Sequence, residues 1–282
     1  VAEPLVLDAP AKLNLSLAVG PPREDGYHPV ASLMLALDAP SDTVEVRPAS
    51  RRSLDAPGSP AGAANLAWRA LDALEEAAGR PLPAAVRIVK RIPMQAGLGG
   101  GSSDAAAVLV GAARLHGLGL GVDALERIAA ALGSDVPFFI RGGTQWATGR
   151  GELVAPRPLP ERLWVVVHPP VTGLATARVY AALDRLPAPP PLPAGPPETP
   201  WRGAAWVRND LWPAALACAP ALGRAARRLA ALGASRVLLC GSGGALAGLF
   251  DDEGAAREAV ARADVALLMA RPAPPRRAEF AA

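Results

Sequence analysis

The sequence predicts an α/β (α+β) protein of two domains, and three observations predict it. Short strand-like runs alternate with helical stretches along the whole chain. Near the middle, a strand, a proline and a glycine run lead directly into a long alanine-rich helix. After residue 155 the alternation of strand and helix starts afresh, dividing the chain into residues 1–155 and 156–282.

In the first domain, residues 3–9 and 12–19 read as two strands interrupted by Pro10, which lacks the N–H a ladder needs. Residues 33–37, 42–47 and 84–90 are further strands, and 65–78 is a helix with Asn65 placed as its cap. Residues 103–116 form the helix after the glycine run, and 122–132 a second one ending at Gly133 in the manner of a C-cap. The run 135–140 reads as a short strand, Gly142-Gly143 as a turn, and 145–148 with 152–155 as a hairpin.

The second domain begins with strand 163–168 and helix 175–183. Residues 187–200 are dominated by proline, which disfavours regular structure, and read as a linker. Helix 219–232, strand 236–240, the turn Gly241-Ser242-Gly243-Gly244, helix 255–263 and strand 265–269 complete the chain.

Composition narrows the function classes. Of 282 residues, 51% are apolar and 20% charged, too apolar for a disordered chain and enough for a real core. A net charge of +3 suits an anionic ligand, but no lysine or arginine stripe marks a nucleic-acid surface. The basic tail 271–277 reads as a solvated terminus. Cys218 and Cys240 form no disulfide framework or CxxC pair, and the first six residues lack the charged and apolar regions of a leader. No apolar run reaches membrane-spanning length, so a soluble, cytoplasmic protein is expected.

The strongest local chemistry lies in Pro93-Met94-Gln95-Ala96-Gly97-Leu98-Gly99-Gly100-Gly101-Ser102-Ser103-Asp104. Glycines let a backbone approach a polyphosphate closely and turn several N–H groups toward it. The serines add hydroxyl donors, and the following helix points its positive end at the same place. A Walker A loop would need Gly-Lys-Ser/Thr, and no lysine follows these glycines. A dinucleotide fingerprint would need a third glycine where Ser102 or Asp104 stands.

This loop resembles that of the GHMP kinases, the family of galactokinase, homoserine kinase, mevalonate kinase and phosphomevalonate kinase. Four other segments agree in order: Ala11-Lys12-Leu13-Asn14-Leu15, Asp25-Gly26-Tyr27-His28, Gly133-Ser134-Asp135-Val136-Pro137, and Asn209-Asp210-Leu211 with Gly241–Gly244. The expanded Gly-Leu-Gly-Gly-Gly-Ser-Ser-Asp form is similar to one branch of that family. Its members phosphorylate the 2-hydroxyl of a cytidylyl-bearing methylerythritol in the non-mevalonate route to isoprenoids. The resemblance implies an N-terminal domain like the second domain of ribosomal protein S5, a ferredoxin-like C-terminal domain, and an active site in the cleft between them. It also implies ATP as phosphoryl donor with Mg²⁺, and a monomer or weak homodimer. Gln95 and Cys240 depart from the family pattern, the first where a small residue is usual and the second where a hydroxyl residue often stands.

By that resemblance Asp135 is the catalytic carboxylate, which takes the acceptor proton or orients the hydroxyl as it attacks phosphorus. Lys12 would lie near it, keeping the carboxylate ionised and favouring a developing alkoxide. Tyr27 would stack on the cytosine and His28 hydrogen-bond it, with Tyr180 either closing the other face or serving as helix packing. Asn14, two residues beyond Lys12, shares its strand face and is placed to meet a substrate hydroxyl. Residues 93–104 would hold ATP. Thr172, Thr176 and Asp184 are further cleft candidates, while a cap and a turn also account for Asn65 and Asn209. The resemblance supplies no protein ligand for the metal: residues 114–121 carry no acid, and Glu126 follows a break.

Overall fold

Pro10 does not end the first strand. In this computed structural model, which describes residues 3–160, 162–187, 189–197, 201 and 204–276, strand β1 runs unbroken over Leu5–Val19. It pairs antiparallel with β2, Val30–Pro48, which likewise merges two expected strands into one. The register shifts between Pro10 and Lys12, so an irregularity absorbs the proline and the pairing continues. Strands β3 (Ser53–Asp55), β4 (Ala84–Val89), β5 (Thr144–Thr148) and β6 (Leu153–Arg157) complete a six-stranded sheet. Its order is β3-β4-β2-β5-β6, with β1 paired to β2.

Side chains alternate across a strand, and β2 is buried on both faces for that reason. Met34 and Ala36 face a layer of four helices, α1 (Leu66–Ala78), α2 (Gly100–Leu115), α3 (Val122–Leu132) and α4 (Val136–Arg141). Leu33, Leu35 and Leu37 face the other way, into a core shared with the second domain. Helix α2 is the centre of the first layer, and Gly111 lets it approach the sheet: a Cβ there would lie 2.8 Å from Val46.

The second sheet is antiparallel, in the order β10-β7-β9-β8, from β7 (Trp164–His168), β8 (Arg236–Leu239), β9 (Leu246–Phe250) and β10 (Leu268–Ala270). Helices α5 (Thr176–Leu183), α6 (Trp212–Cys218), α7 (Ala221–Ala231) and α8 (Glu253–Arg262) pack with it. The first sheet ends at Arg157 and the second begins at Trp164, so residue 155 lies within the last strand of the first sheet.

Three expectations are corrected. Residues 136–141 are helical: the apolar run Val136–Ile140 is wholly buried, and Pro137 sits in the first turn, where a missing N–H costs nothing. Strand β9 and helix α6 were not expected, because Gly248 dilutes the one and a proline near its start disguises the other. The basic tail is not a free terminus. Ala273 donates its N–H to Ala36 at 2.8 Å and Arg276 to Arg141 at 2.9 Å, so the chain returns to the first domain. Val1 and Ala2, tail residue Arg277, and residues 188 and 198–200 of the proline stretch lie outside the described residues.

Candidate active site

The glycine run is half loop and half helix. Gly99 takes the left-handed conformation (φ 74°) as N-cap, and α2 already begins at Gly100, three residues before the expected start. The first bond of the helix ladder runs from the Ser103 N–H to the Gly99 carbonyl, so the N–H groups of Gly100, Gly101 and Ser102 carry no such bond. They border a cavity of about 310 Å³ lined by residues 93–102 and by Asp104. Gly101 has open space beside it, with nothing within 4 Å of where a Cβ would stand.

Of the predicted ATP-loop residues, Ser103 does not line the cavity, and Asp104 lines it while held in an ion pair. Ser103 is fully buried and its hydroxyl has no partner, because the helix phase turns it inward; Ser102 lines the cavity in its stead. Asp104 is buried in an ion pair with Lys90 at 2.6 Å, and Lys90 also binds Asp42. Burial pushes the Asp104 carboxyl up to about 7; Lys90 pulls it down less than desolvation raises it, and the nearby Asp42 adds to the rise. Asp42 in turn accepts the backbone N–H groups of Arg91 and Ile92, fixing the approach to the loop.

The loop is seated on the second domain by close backbone contact, with the Gln95 side chain packed beside Gly173. Gly244 and Ala245 donate N–H bonds to the carbonyls of Gln95 (3.1 Å) and Ala96 (3.2 Å). Gly97, at φ 78°, comes so close that a Cβ would sit 1.7 Å from the Cys240 carbonyl oxygen. Gly243 faces the loop equally closely, 2.1 Å from the Gly97 nitrogen by the same measure. Gln95 itself has φ 54°, rare outside glycine, and is held there by these bonds. Asn209 supports the turn from behind, donating to the carbonyls of Leu239 (2.9 Å) and Gly241 (2.7 Å).

A second cavity of about 720 Å³ opens beside the first, and Ser102 lines both. Lys12, Asn14, Tyr27, His28, Asp135 and Tyr180 all line it, so every predicted catalytic and acceptor-binding residue comes together. Strand β1 presents Lys12 and Asn14 on its helix side, where the Lys12 ammonium donates to Asn14 Oδ1 at 2.5 Å and stands 3.6 Å from Asp135. Asn14 is held by Ser32 at 2.8 Å, and the Lys12 backbone N–H binds the Leu98 carbonyl at 2.9 Å. Asp135 precedes α4 without capping it, which leaves its carboxylate free to face the cleft.

At the other end, His28 Nδ1 meets the Gly20 carbonyl at 2.8 Å and Nε2 meets Asp184 at 3.1 Å. The rings of His28 and Tyr180 lie 5.1 Å apart. Burial, with Asp135 second, pushes the Tyr180 phenol up to about 12, so it stays a neutral donor. Thr176 lines this cavity and shares a 2.8 Å hydrogen bond with Ser242; Thr172 packs its backbone on Gly244 instead. Arg150, which the sequence reading passed over, stacks its guanidinium 5.0 Å above the Tyr27 ring. The signal was local: one basic residue between Gly149 and Gly151 at a hairpin tip.

Glu126 pairs with Arg141 at 2.9 Å and does not line either cavity. Among the described residues no group of three or more His, Cys, Asp or Glu could hold a metal ion. The Ser102 hydroxyl, which lines both cavities, and the Asp135 carboxylate, which lines the larger, are oxygen donors of the kind that suits Mg²⁺ arriving on phosphates with several waters. Among the described residues no helix is long and apolar enough to cross a membrane.

Sequence models of the GHMP kinases N terminal domain and the GHMP kinases C terminal region match residues 65–143 and 205–264. The chain is 41% identical to the 4-diphosphocytidyl-2-C-methyl-D-erythritol kinase of Anaeromyxobacter dehalogenans (strain 2CP-C), over 90% of this chain and 83% of that one. It is 42% identical to the enzyme of the same name from Geobacter sp. (strain M21), over 91% and 93%. A crystal structure of 4-(cytidine 5'-diphospho)-2C-methyl-D-erythritol kinase superposes with a TM-score of 0.79 at 38% identity, covering 94% of this chain and 98% of that one. Homoserine kinase from Cytophaga hutchinsonii shares the fold, with a TM-score of 0.71 at 15% identity and coverage of 98% and 96%.

Proposed function

The chain belongs to the GHMP kinases, within them to the 4-diphosphocytidyl-2-C-methyl-D-erythritol kinases, and on that premise we propose how its two cavities divide the reaction. The protein is an ATP-dependent kinase that phosphorylates the 2-hydroxyl of 4-diphosphocytidyl-2-C-methyl-D-erythritol, releasing ADP in the non-mevalonate route to isoprenoid precursors. The smaller cavity takes ATP and the larger one the acceptor. The observation that carries this division is the junction: Ser102 borders both cavities, and the Lys12–Asp135 pair lines the acceptor side.

Residues 93–102 cradle the phosphates through the free N–H groups at the start of α2. The Ser102 hydroxyl would help hold Mg²⁺ arriving with ATP, which would offset the charge of the phosphates. Asp135 accepts the proton of the 2-hydroxyl, and Lys12 keeps that carboxylate ionised while stabilising negative charge on the attacking oxygen. Asn14 orients the Lys12 ammonium. Tyr27 and Tyr180 enclose the cytosine, and His28 hydrogen-bonds its edge once the base replaces Asp184 as its neighbour. The phosphoryl group passes directly between the bound substrates, with no covalent enzyme intermediate. The protein acts in the cytoplasm, where its two free thiols stay reduced, as a monomer or weak homodimer.

The test is ADP release with MgATP and a panel of acceptors: the cytidylyl compound, the same polyol phosphate without the cytidylyl group, homoserine, mevalonate and galactose. Turnover confined to the cytidylyl compound is the expected result. Turnover with another acceptor would retain the kinase and reject the base-binding roles.

A further inference from the structure

We propose that Arg150 binds the diphosphate of the acceptor, an assignment that rests on the cytidylyl-substrate reading. A diphosphate ester carries negative charge that must meet cations or N–H donors as it leaves water. Three basic side chains line the acceptor cavity: Lys12, His28 and Arg150. Two of them are already engaged. The Lys12 ammonium serves Asn14 and Asp135, and both ring nitrogens of His28 face oxygen, at Gly20 and Asp184.

Arg150 differs. Its nearest carboxylate, Glu152, lies 3.8 Å from Nε, too far for a hydrogen bond, because Glu152 accepts the Arg150 backbone N–H at 2.6 Å instead. Asp25 is held by Arg23 and by the Tyr27 N–H, and Asp184 by His28. Among the described residues the Arg150 guanidinium therefore lies over the Tyr27 ring with its donors unfilled. Its planar fork matches a phosphate, which a lysine would meet only as a point charge.

The position is also fixed. Gly149 (φ 71°) and Gly151 (φ 112°) form the tight turn between β5 and β6, and the Gly149 carbonyl accepts the Val30 N–H at 2.8 Å. That bond ties the hairpin tip to the start of β2, two residues after His28. Arg150 is thus anchored beside the proposed base site with donors to spare for the group joined to the nucleoside.

The competing role is a brace that only holds Tyr27 in place, and ligand charge separates the two. Binding of cytidine and of CDP is measured by calorimetry for the wild type, Arg150→Gln and Arg150→Lys, alongside the KM for ATP and for the acceptor. In Arg150→Gln the preference for CDP over cytidine should fall by about ten- to a hundredfold, as expected for losing charged hydrogen bonds. Cytidine affinity and the KM for ATP should change by less than about threefold, and Arg150→Lys should recover part of the CDP preference. Equal weakening of cytidine and CDP would make Arg150 a brace and overturn the assignment, as would an undiminished preference for CDP. A wild type that turns over the cytidylyl acceptor retains the functional reading in either case; one that does not would overturn both.

Discussion

Lys12 is where the two domains meet and, in the proposed mechanism, where the two substrates do. Its backbone N–H holds the glycine loop at Leu98, its ammonium reaches Asn14 and Asp135, and Gly241 of the second domain abuts its tip. The Asp135→Asn variant should keep this shape and lose the proposed base. Its kcat should fall by about 10²–10⁴-fold while ATP affinity measured by calorimetry stays within about threefold; near-normal turnover would remove Asp135 from the proton transfer. Asp104 allows a different test. Its carboxyl, raised from 3.8 to about 7, favours the folded state while protonated, and that contribution is lost as pH rises through about 7. Asp104→Asn should therefore flatten the dependence of Tm on pH between about 4 and 7, and equal slopes for the two proteins would contradict the burial argument. Lys12, Asn14, Tyr27, His28 and Asp135 were legible because each sits in a short sequence motif. Arg150 was not, since its partner Tyr27 is joined to it only by the folding of a hairpin against a distant loop.

Among the elements, the loop and α2 divide the glycines into two kinds. Gly97 is locked by both its left-handed backbone and the Cys240 carbonyl, whereas Gly101 stands in a helical turn facing open space. Gly97→Ala should unseat the loop and abolish measurable ATP binding along with a clear drop in Tm. Gly101→Ala should raise stability by up to about 1 kcal/mol, the helix preference for alanine, yet weaken ATP by filling space the phosphates use. Thermal melts with and without ATP distinguish the pair, and a tolerated Gly97→Ala would contradict the packing described. Helices α1 and α3 were readable from caps and period, since Asn65 starts the first and Gly133 ends the second where expected. Helix α4 was not, because a fully buried run of Val, Phe and Ile has no polar face to reveal its period.

At the scale of the molecule, the apolar core between the sheets joins Leu13 and Leu35 to Val165 and Leu249, and the C-terminal residues return to β2. The division into two sheets could be read from the sequence, but this shared core could not, because alternation shows that β2 is buried twice and not what covers it. The backbone seam at Gly97, Gly243 and Gly244 has a consequence for traffic through the enzyme. One wall of the proposed ATP cavity is fused to the second domain, Ser59, Pro60 and residues 64–66 form part of another wall, and the proposed acceptor cavity shares only Ser102 with it. With two doors, neither substrate has to wait for the other: initial-rate lines should intersect, and ADP should compete with ATP but not with the acceptor. Parallel lines would mean a phosphorylated enzyme intermediate, and an ADP pattern competitive against the acceptor would mean that the two substrates share one entrance.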